Sequence, residues 1–567
     1  MINPKTKITK GDMQVYPSER MTDNDDGGGT PKGVPLTGVP NEVFDPIAGI
    51  DRLTGDWSAR LVYAGLQRAD NAPLYGAYIA LTKPAADDAV NHLIMASDKF
   101  GESRKDIVTS ITNDLFVDRT IAYTSRSTNT IGNTVIKVLV PEGNEDVIKI
   151  GDTIYLQGSY SITTAGIAKR YTYGEFAKAD NVVVLNTGDV GFKTATITLS
   201  MGIKNDYTKN YVLDIGGDTA AVDSYKHEVF TTARIADSRF YGVQKLAAAI
   251  LKDASSITVT SLYQSIAPNI DGNVVDVDGI DVLALPPSGL VKITQPNDEI
   301  LIINSQKDDI GSAHTAGQTV QLSRIDVDRI CVTDADDKPV NAELWDYDLA
   351  AGTITWRTPL DLSSYKMPLS VSHAHEEMNR VTTVNDDGTV TLLFPTLRAY
   401  PLAATYVSSV LSLGDLQVRV SMPFTQRNWN NAWSDTPVGD QLLNKLNLTD
   451  YPMVLTDDGA ITERWLIRMT GTSTFELYGE ALGFVMRGDT LTDLAPIRPA
   501  TGKPYFTLPK QAFGNQAPWA SQDIIRVNTW GTLAPVRMIR VVNPNRNESI
   551  TDGFDYCLYG DTTEITV

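Results

Sequence analysis

Two histidines on alternate residues, followed by two carboxylates, form the first arrangement in this chain that could do chemistry: His373-Ala374-His375-Glu376-Glu377. On a strand, residues two apart share a face, so the imidazoles could grip one metal ion. A third ligand would have to come from elsewhere, and the chain holds 5 histidines in all. A polar strand end is the simpler reading, and no metal is expected. Asp276-Val277-Asp278-Gly279-Ile280-Asp281 alternates carboxylates around a turn glycine, as calcium loops do. It lacks the EF-hand spacing and the closing Glu. It reads as the acidic rim of a hairpin, with calcium ligation by Asp276, Asp278 and Asp281 left open.

Nucleophile and phosphate motifs are incomplete. Ser363-Ser364-Tyr365-Lys366 satisfies Ser-x-x-Lys, but no Lys-Thr-Gly or Ser-Asp-Asn partner follows. Gly471-Thr472-Ser473-Thr474 runs into Phe475 where a nucleophile elbow needs glycine, and Gly502-Lys503 lacks the leading glycine of a phosphate loop. Paired carboxylates could hydrolyse glycosides, but 69 acidic residues single out no pair. No catalytic residue and no cofactor are therefore expected. Trp429 and Trp433, set among Asn428, Asn430 and Asn431, could stack on a sugar; tryptophans so placed more often close a core or fill a protein interface.

The elements that would carry these residues are mostly strands. Ala195, Ile197 and Leu199 alternate with threonines, and Leu416, Val418, Val420 and Met422 alternate with polar residues, each the pattern of a half-buried strand. Asp271-Gly272, Asp387-Gly388, Asp458-Gly459 and Asp552-Gly553 are turn signals, and Arg380 to Phe394 reads as strand, turn, strand. Helical spacing is expected in two pieces within Ala85 to Thr112, broken near Phe100-Gly101. A second helix is expected over 237–252, capped by Asp237 or Ser238, with Phe240, Val243, Ala247 and Ile250 on one face.

The expected fold is mainly β with a minor helical part: several β-sandwich or small-barrel domains plus an extended N-terminal arm. Residues 1–50 form the arm, because Asp23 to Gly29 suits neither helix nor strand interior and Pro31, Pro35, Pro40 and Pro46 follow. Val34, Leu36, Phe44 and Ile47 are its sparse anchors for a neighbouring subunit. Beyond it the divisions are 51–125 (helix-containing), 126–235 (β), 236–380 (helix plus β) and 381–567 (β). A formal charge of -20 argues against nucleic acid as a partner. Two cysteines, Cys331 and Cys557, make no disulfide framework and suit reducing cytoplasm. No signal segment or membrane span is expected.

Residues from Tyr400 to about Val542 carry a characteristic set of phrases. They include Arg427-Asn428-Trp429-Asn430-Asn431-Ala432-Trp433-Ser434-Asp435, Gly459-Ala460-Ile461-Thr462-Glu463-Arg464-Trp465, Phe475-Glu476-Leu477-Tyr478-Gly479-Glu480, Pro504-Tyr505-Phe506-Thr507-Leu508 and Ile525-Arg526-Val527-Asn528-Thr529. Together they resemble a family of tail-associated structural proteins of tailed bacteriophages and prophages, especially Mu-like siphophages. The resemblance covers about a quarter of the chain and implies a non-enzymatic virion component of the tail tip or baseplate. Such a component is made and assembled in the host cytoplasm as a homo-oligomer beside other tail proteins. Trp429 and Trp433 join the arm's anchors as expected assembly contacts. A receptor-binding fibre contacting host surface glycan is the alternative, and a glycan depolymerase the more distant one.

Overall fold

The computed structural model describes residue 8 and residues 11–561, apart from 98, 114, 145–147, 151, 165, 166, 209–221, 237, 238, 271, 272, 276, 278–288, 386, 437–439, 515–517 and 546–551. Among the described residues the chain is mainly β. Its α-helices are Gly49–Thr54 and Arg104–Asn113, and its strands form several antiparallel sheets.

The largest sheet has twelve strands. Across it run Ser256–Thr258, Thr389–Leu392, Leu369–Val384, Glu299–Gly311, Thr405–Ser409, Tyr241–Lys245, Val90–Ala96, Leu533–Val542, Asp56–Leu66, Met13–Arg20 and Gly28–Pro31, with Arg329–Thr333 also paired to Leu369–Val384. The strand Asp56–Leu66 is buried from Trp57 onward, and its alternation says why. Trp57, Ala59, Leu61 and Tyr63 enter one core, while Val62 and Ala64 enter another. The first core is shared with a six-stranded C-terminal sheet through Trp465, Ile467, Phe475, Ile525 and Val527. The second is shared with a three-stranded sheet, Leu411–Leu416, Leu74–Lys83 and Asp555–Asp561, through Leu411, Ile79 and Leu81. The twelve-stranded sheet is thus the middle of three layers.

Residues 115–236 form a sheet of their own, in the order Leu115–Thr124, Val222–Ala236, Thr153–Thr164, Ile167–Leu185, Phe192–Leu199, Val135–Pro141. A bridge between Ser125 and Val138, and a hydrogen bond of 2.7 Å from the Arg126 amide to the Lys137 carbonyl, bring the last strand back to the first. The sheet closes on an interior of Ile136, Val138, Ile154, Leu156, Ala195, Ile197, Leu199 and Val229. The alternating run at 194–199 is one wall of this small barrel.

Several expectations need correction. The stretch 237–252 is not a helix: Tyr241–Lys245 is a strand between Val90–Ala96 and Thr405–Ser409, and Asp237 and Ser238 lie outside the described residues. Phe240, Val243 and Ile250 are buried, but pairing on both edges overrides the local preference of the alanines, and Ala247 faces solvent. Of the two helical pieces in 85–112, Val90–Ala96 is a strand, and Arg104–Asn113 is a helix burying Ile107 and Ile111. Leu416 to Met422 is not one strand: it breaks after Leu416, and Met422 is 85% exposed.

The region expected as an arm is folded onto its own chain from residue 11 onward. Met13–Arg20 pairs with Asp56–Leu66, and Gly28–Pro31 pairs with Met13–Arg20. The stretch Asp23 to Gly29, expected to suit neither helix nor strand interior, ends in the short strand Gly28–Pro31. Gly28 sits at φ +106, with a Cβ placed there only 2.2 Å from the Glu102 carbonyl oxygen, so only glycine passes. The expected divisions at 50 and 380 do not separate units either, because strands from 1–50, 51–125, 236–380 and 381–567 enter one sheet; the division at 125 falls inside the small barrel, and the one at 235 falls one residue before its last strand ends. Antiparallel pairing between distant segments leaves no composition signal at those points.

Candidate assembly surface

The tryptophan-rich stretch is held by an arginine that the sequence reading did not single out. Arg526 lies on the strand Asp523–Trp530, directly across from Phe424 on Phe424–Arg427, and is 1% exposed. Its guanidinium stands 4.8 Å from the Trp433 ring centre, 5.1 Å from Trp429 and 5.4 Å from Phe424. Three aromatic faces thereby surround one cation. The guanidinium also donates to the carbonyl of Ser434 at 3.0 Å. Burial pushes the Arg526 pKa down to about 10, with the neighbouring Arg464 charge adding to the shift.

The loop can wrap this cation because Asn428 and Asn431 take positive φ, 64° and 60°, a conformation asparagine tolerates better than most residues. Its far end is fastened by Asp435, which accepts from both sides of the Arg464 fork at 2.7 and 2.9 Å and from Asn528 at 2.7 Å. Those bonds, Arg464 foremost, hold the Asp435 carboxyl below the usual carboxylate range. Glu480 takes the remaining Arg464 nitrogen at 2.8 Å. The two tryptophans meet edge to face, 5.2 Å apart at 67°, and stay half-buried. They offer outer edges on a rigid support, and no flat double platform for a sugar ring.

Of the arm's expected anchors, only Val34 stands out in solvent, at 71% exposure. Leu36 packs partly buried against the second core, and its amide donates to the Val15 carbonyl at 2.8 Å. Phe44 is buried in that core, and Ile47 packs beside Ala85, Val90 and Val542. The expectation that Leu36, Phe44 and Ile47 reach into a neighbouring subunit is therefore corrected. The grip on Phe44 comes from two buried arginines, Arg60 at 5.6 Å and Arg540 at 5.1 Å from its ring centre. Arg60 is ion-paired to Asp23 of the same segment.

The histidine pair lies within the strand Leu369–Val384, not at a polar end, and His373 is 1% exposed. His373 meets Asp308 through Nε2 at 3.0 Å, while His375 meets the Ile325 carbonyl at 3.0 Å. Glu376 accepts from Arg329 at 2.6 Å and from the Tyr559 hydroxyl at 3.1 Å; Glu377 accepts from the Leu397 amide and the Tyr400 hydroxyl. The four side chains thus take separate partners, and among the described residues no three His, Cys, Asp or Glu side chains gather as a metal would require. The acidic turn at Asp276, Asp278 and Asp281 lies outside the described residues. Lys366 of the Ser-x-x-Lys match pairs with Asp336 at 2.7 Å.

The spacing of Trp429 and Trp433 is visible in the sequence, whereas Arg526 lies 92 residues beyond Ser434 and only the pairing of two strands brings it back. No helix among the described residues is long and apolar enough to cross a membrane. No protein-family model, curated protein or solved structure matches the chain.

Proposed function

We propose that the chain is a non-enzymatic structural component of a tailed-phage virion, at the tail tip or baseplate, acting by oligomeric assembly and attachment to neighbouring tail proteins. The observation that carries this reading is the Trp429–Trp433 loop. It lies inside the segment whose wording resembles tail structural proteins, and it is fastened to a β-sheet by a buried arginine while its ring edges stay half-exposed. Aromatic side chains ordered before contact lose little entropy on docking, which is how interface anchors work. Three shared layers give the rigid body that such a contact needs. The acidic surface keeps free copies apart until a specific neighbour arrives.

Imaging virions that carry a gold-labelled copy of the chain tests the assignment. Label beside the tail tube, with Trp433→Ala virions lacking it, is the expected result. Label at the periphery together with normal assembly and lost adsorption in Trp433→Ala would replace this reading with that of a receptor-binding fibre.

A further inference from the structure

The six-stranded C-terminal sheet ends in the strand Gly483–Asp489, which among the described residues is paired on one side only, to Thr474–Gly479. Its inner face is closed: Met486 packs against the first core, and a Cβ at Gly488 would lie 2.7 Å from the Phe475 ring. Its outer face ends a row of alternating charge. Arg468, Glu476 and Arg487 stand side by side on three neighbouring strands, with Glu476 accepting from Arg468 at 2.6 Å and from Arg487 at 3.3 Å. The row stops on a cation, and the Arg487 side chain is 80% exposed. Phe484 and Leu491, near the two ends of the strand, are 54% and 69% exposed.

The backbone along this edge has a fixed direction. The Thr490 amide donates to the Ser473 carbonyl at 2.8 Å, and successive residues of an antiparallel strand turn alternately toward one neighbour and the other. Gly488 and Met486 therefore turn their N–H and C=O groups inward to Thr474–Gly479, while Arg487 and Asp489 turn theirs outward. Asp489 shares the outer face with Arg487, two residues along. Its bonds to the following turn, from the Leu491 and Thr492 amides at 2.9 and 3.0 Å and the Thr492 hydroxyl at 3.2 Å, all run to Oδ1 and leave Oδ2 to meet another group.

An arginine on an edge strand ordinarily keeps other strands away. A second copy of the same edge, running antiparallel about a twofold axis at Gly488, is the exception. It sets Arg487 of each copy opposite Asp489 of the other, and these are the residues whose backbone groups turn outward. The row of alternating charge then runs on across the boundary, from Arg468 through Glu476 and Arg487 to Asp489 of the second copy. The next registers on either side that keep the outward groups paired place Arg487 against Arg487 or Asp489 against Asp489, and like charges repel. The chosen register also carries Leu491 of each copy toward Phe484 of the other, so exposed apolar groups meet. We propose that the edge Gly483–Asp489 is a self-association surface that pairs with the same edge of a second copy of this chain. So short a pairing makes a weak contact, of the kind that repeated copies reinforce. The surface lies across the sheet from Asp523–Trp530, the strand that carries Arg526, so it is distinct from the Trp429–Trp433 surface and does not rest on the virion assignment.

Sedimentation equilibrium of the full chain at about 0.1 mM, a concentration that reveals weak contacts, tests it. The wild type self-associates. Arg487→Glu and Asp489→Arg each self-associate about tenfold more weakly, because each sets like charges opposite one another at both pairs. An equimolar mixture of the two variants recovers association, because the introduced glutamate of one meets the introduced arginine of the other. Asp489→Asn keeps an oxygen for the turn and still weakens association, which separates the charge from local unfolding. The same pattern holds with Trp433→Ala added. A wild type that stays monomeric, equal association by the single variants, a mixture no better than its components, or a pattern that Trp433→Ala abolishes would each overturn the proposal.

Discussion

His92 is kept uncharged by what surrounds it. It is 4% exposed, its ring lies on Phe554 at 4.0 Å and 19°, and Nδ1 has no hydrogen-bond partner. Burial first, and the Arg540 charge second, push its pKa down to about 3. An unfolded chain holds a histidine near its ordinary pKa of about 6.5. The folded state therefore binds fewer protons than the unfolded state between those values. The stabilising preference for neutral His92 is complete above about pH 6.5 and is lost as pH falls from there toward the folded pKa, at about 1.4 kcal/mol per unit. His92→Phe keeps a ring against Phe554 and removes the titration. Relative to wild type, it should gain about 2 kcal/mol between pH 7.5 and pH 5 in urea unfolding. Parallel pH profiles for the two proteins would show that His92 does not titrate in this window. None of this is legible in the sequence, where His92 is one polar residue in an apolar run. Trp465 is the opposite case: Ile461, Ile467 and Met469 repeat in step with it, and all four are buried.

At the level of elements, the segment from Met13 to Ile47 behaves as a strap. It adds two strands to the main sheet and is then tied down by Phe44 beneath Arg60 and Arg540, and by Asp23 on Arg60. Prolines and glycines made it look extended, and extended it is. What the sequence conceals is that its partners are arginines some fifteen and five hundred residues away, as the separations of 15 and 495 between Asp45 and those arginines show. The same blindness explains 237–252, where alanine-rich wording favours a helix and two neighbouring strands impose another. By contrast the hairpin around Gly388 carries its instructions locally, in an aspartate and a glycine at φ +86, and it forms between Leu369–Val384 and Thr389–Leu392. The strap has a direct test. Phe44→Ala removes a buried ring and should destabilise the fold by about 3–5 kcal/mol. In the isolated wild-type chain, trypsin should spare Arg20 and Lys32 and should cut there readily in Phe44→Ala. Rapid cleavage of the wild type at these sites would show that the strap is not held by its own chain.

For the whole molecule, pairing of Asp56–Leu66 with Leu533–Val542 means that the middle layer cannot form until both ends of the chain are present. Such non-local pairing is slow to form. The small barrel escapes that constraint. Among the described residues its core shares none with the core between the main and C-terminal sheets, and Leu115 and Ala236, where its first strand begins and its last ends, are paired partners. A chain that leaves and returns at adjacent points can hold an inserted domain without strain, or lose it. Replacing residues 115–236 with a short Gly-Ser link should therefore leave the three layers intact. The readout is built into the composition: the eight tryptophans, Trp57, Trp345, Trp356, Trp429, Trp433, Trp465, Trp519 and Trp530, all lie outside this range. Tryptophan fluorescence accordingly follows the chain outside the barrel, including the separate three-stranded sheet that carries Trp345 and Trp356, while far-UV circular dichroism follows the barrel as well. In the shortened chain the fluorescence-detected midpoint should stay within about 2 °C of the wild type, a change of roughly 2 kcal/mol or less for a chain of this size. The circular dichroism curve should lose whatever part of the wild-type transition does not coincide with fluorescence. A shortened chain that melts far lower by fluorescence, or does not fold, would mean that the barrel supports the layers and is not a guest upon them.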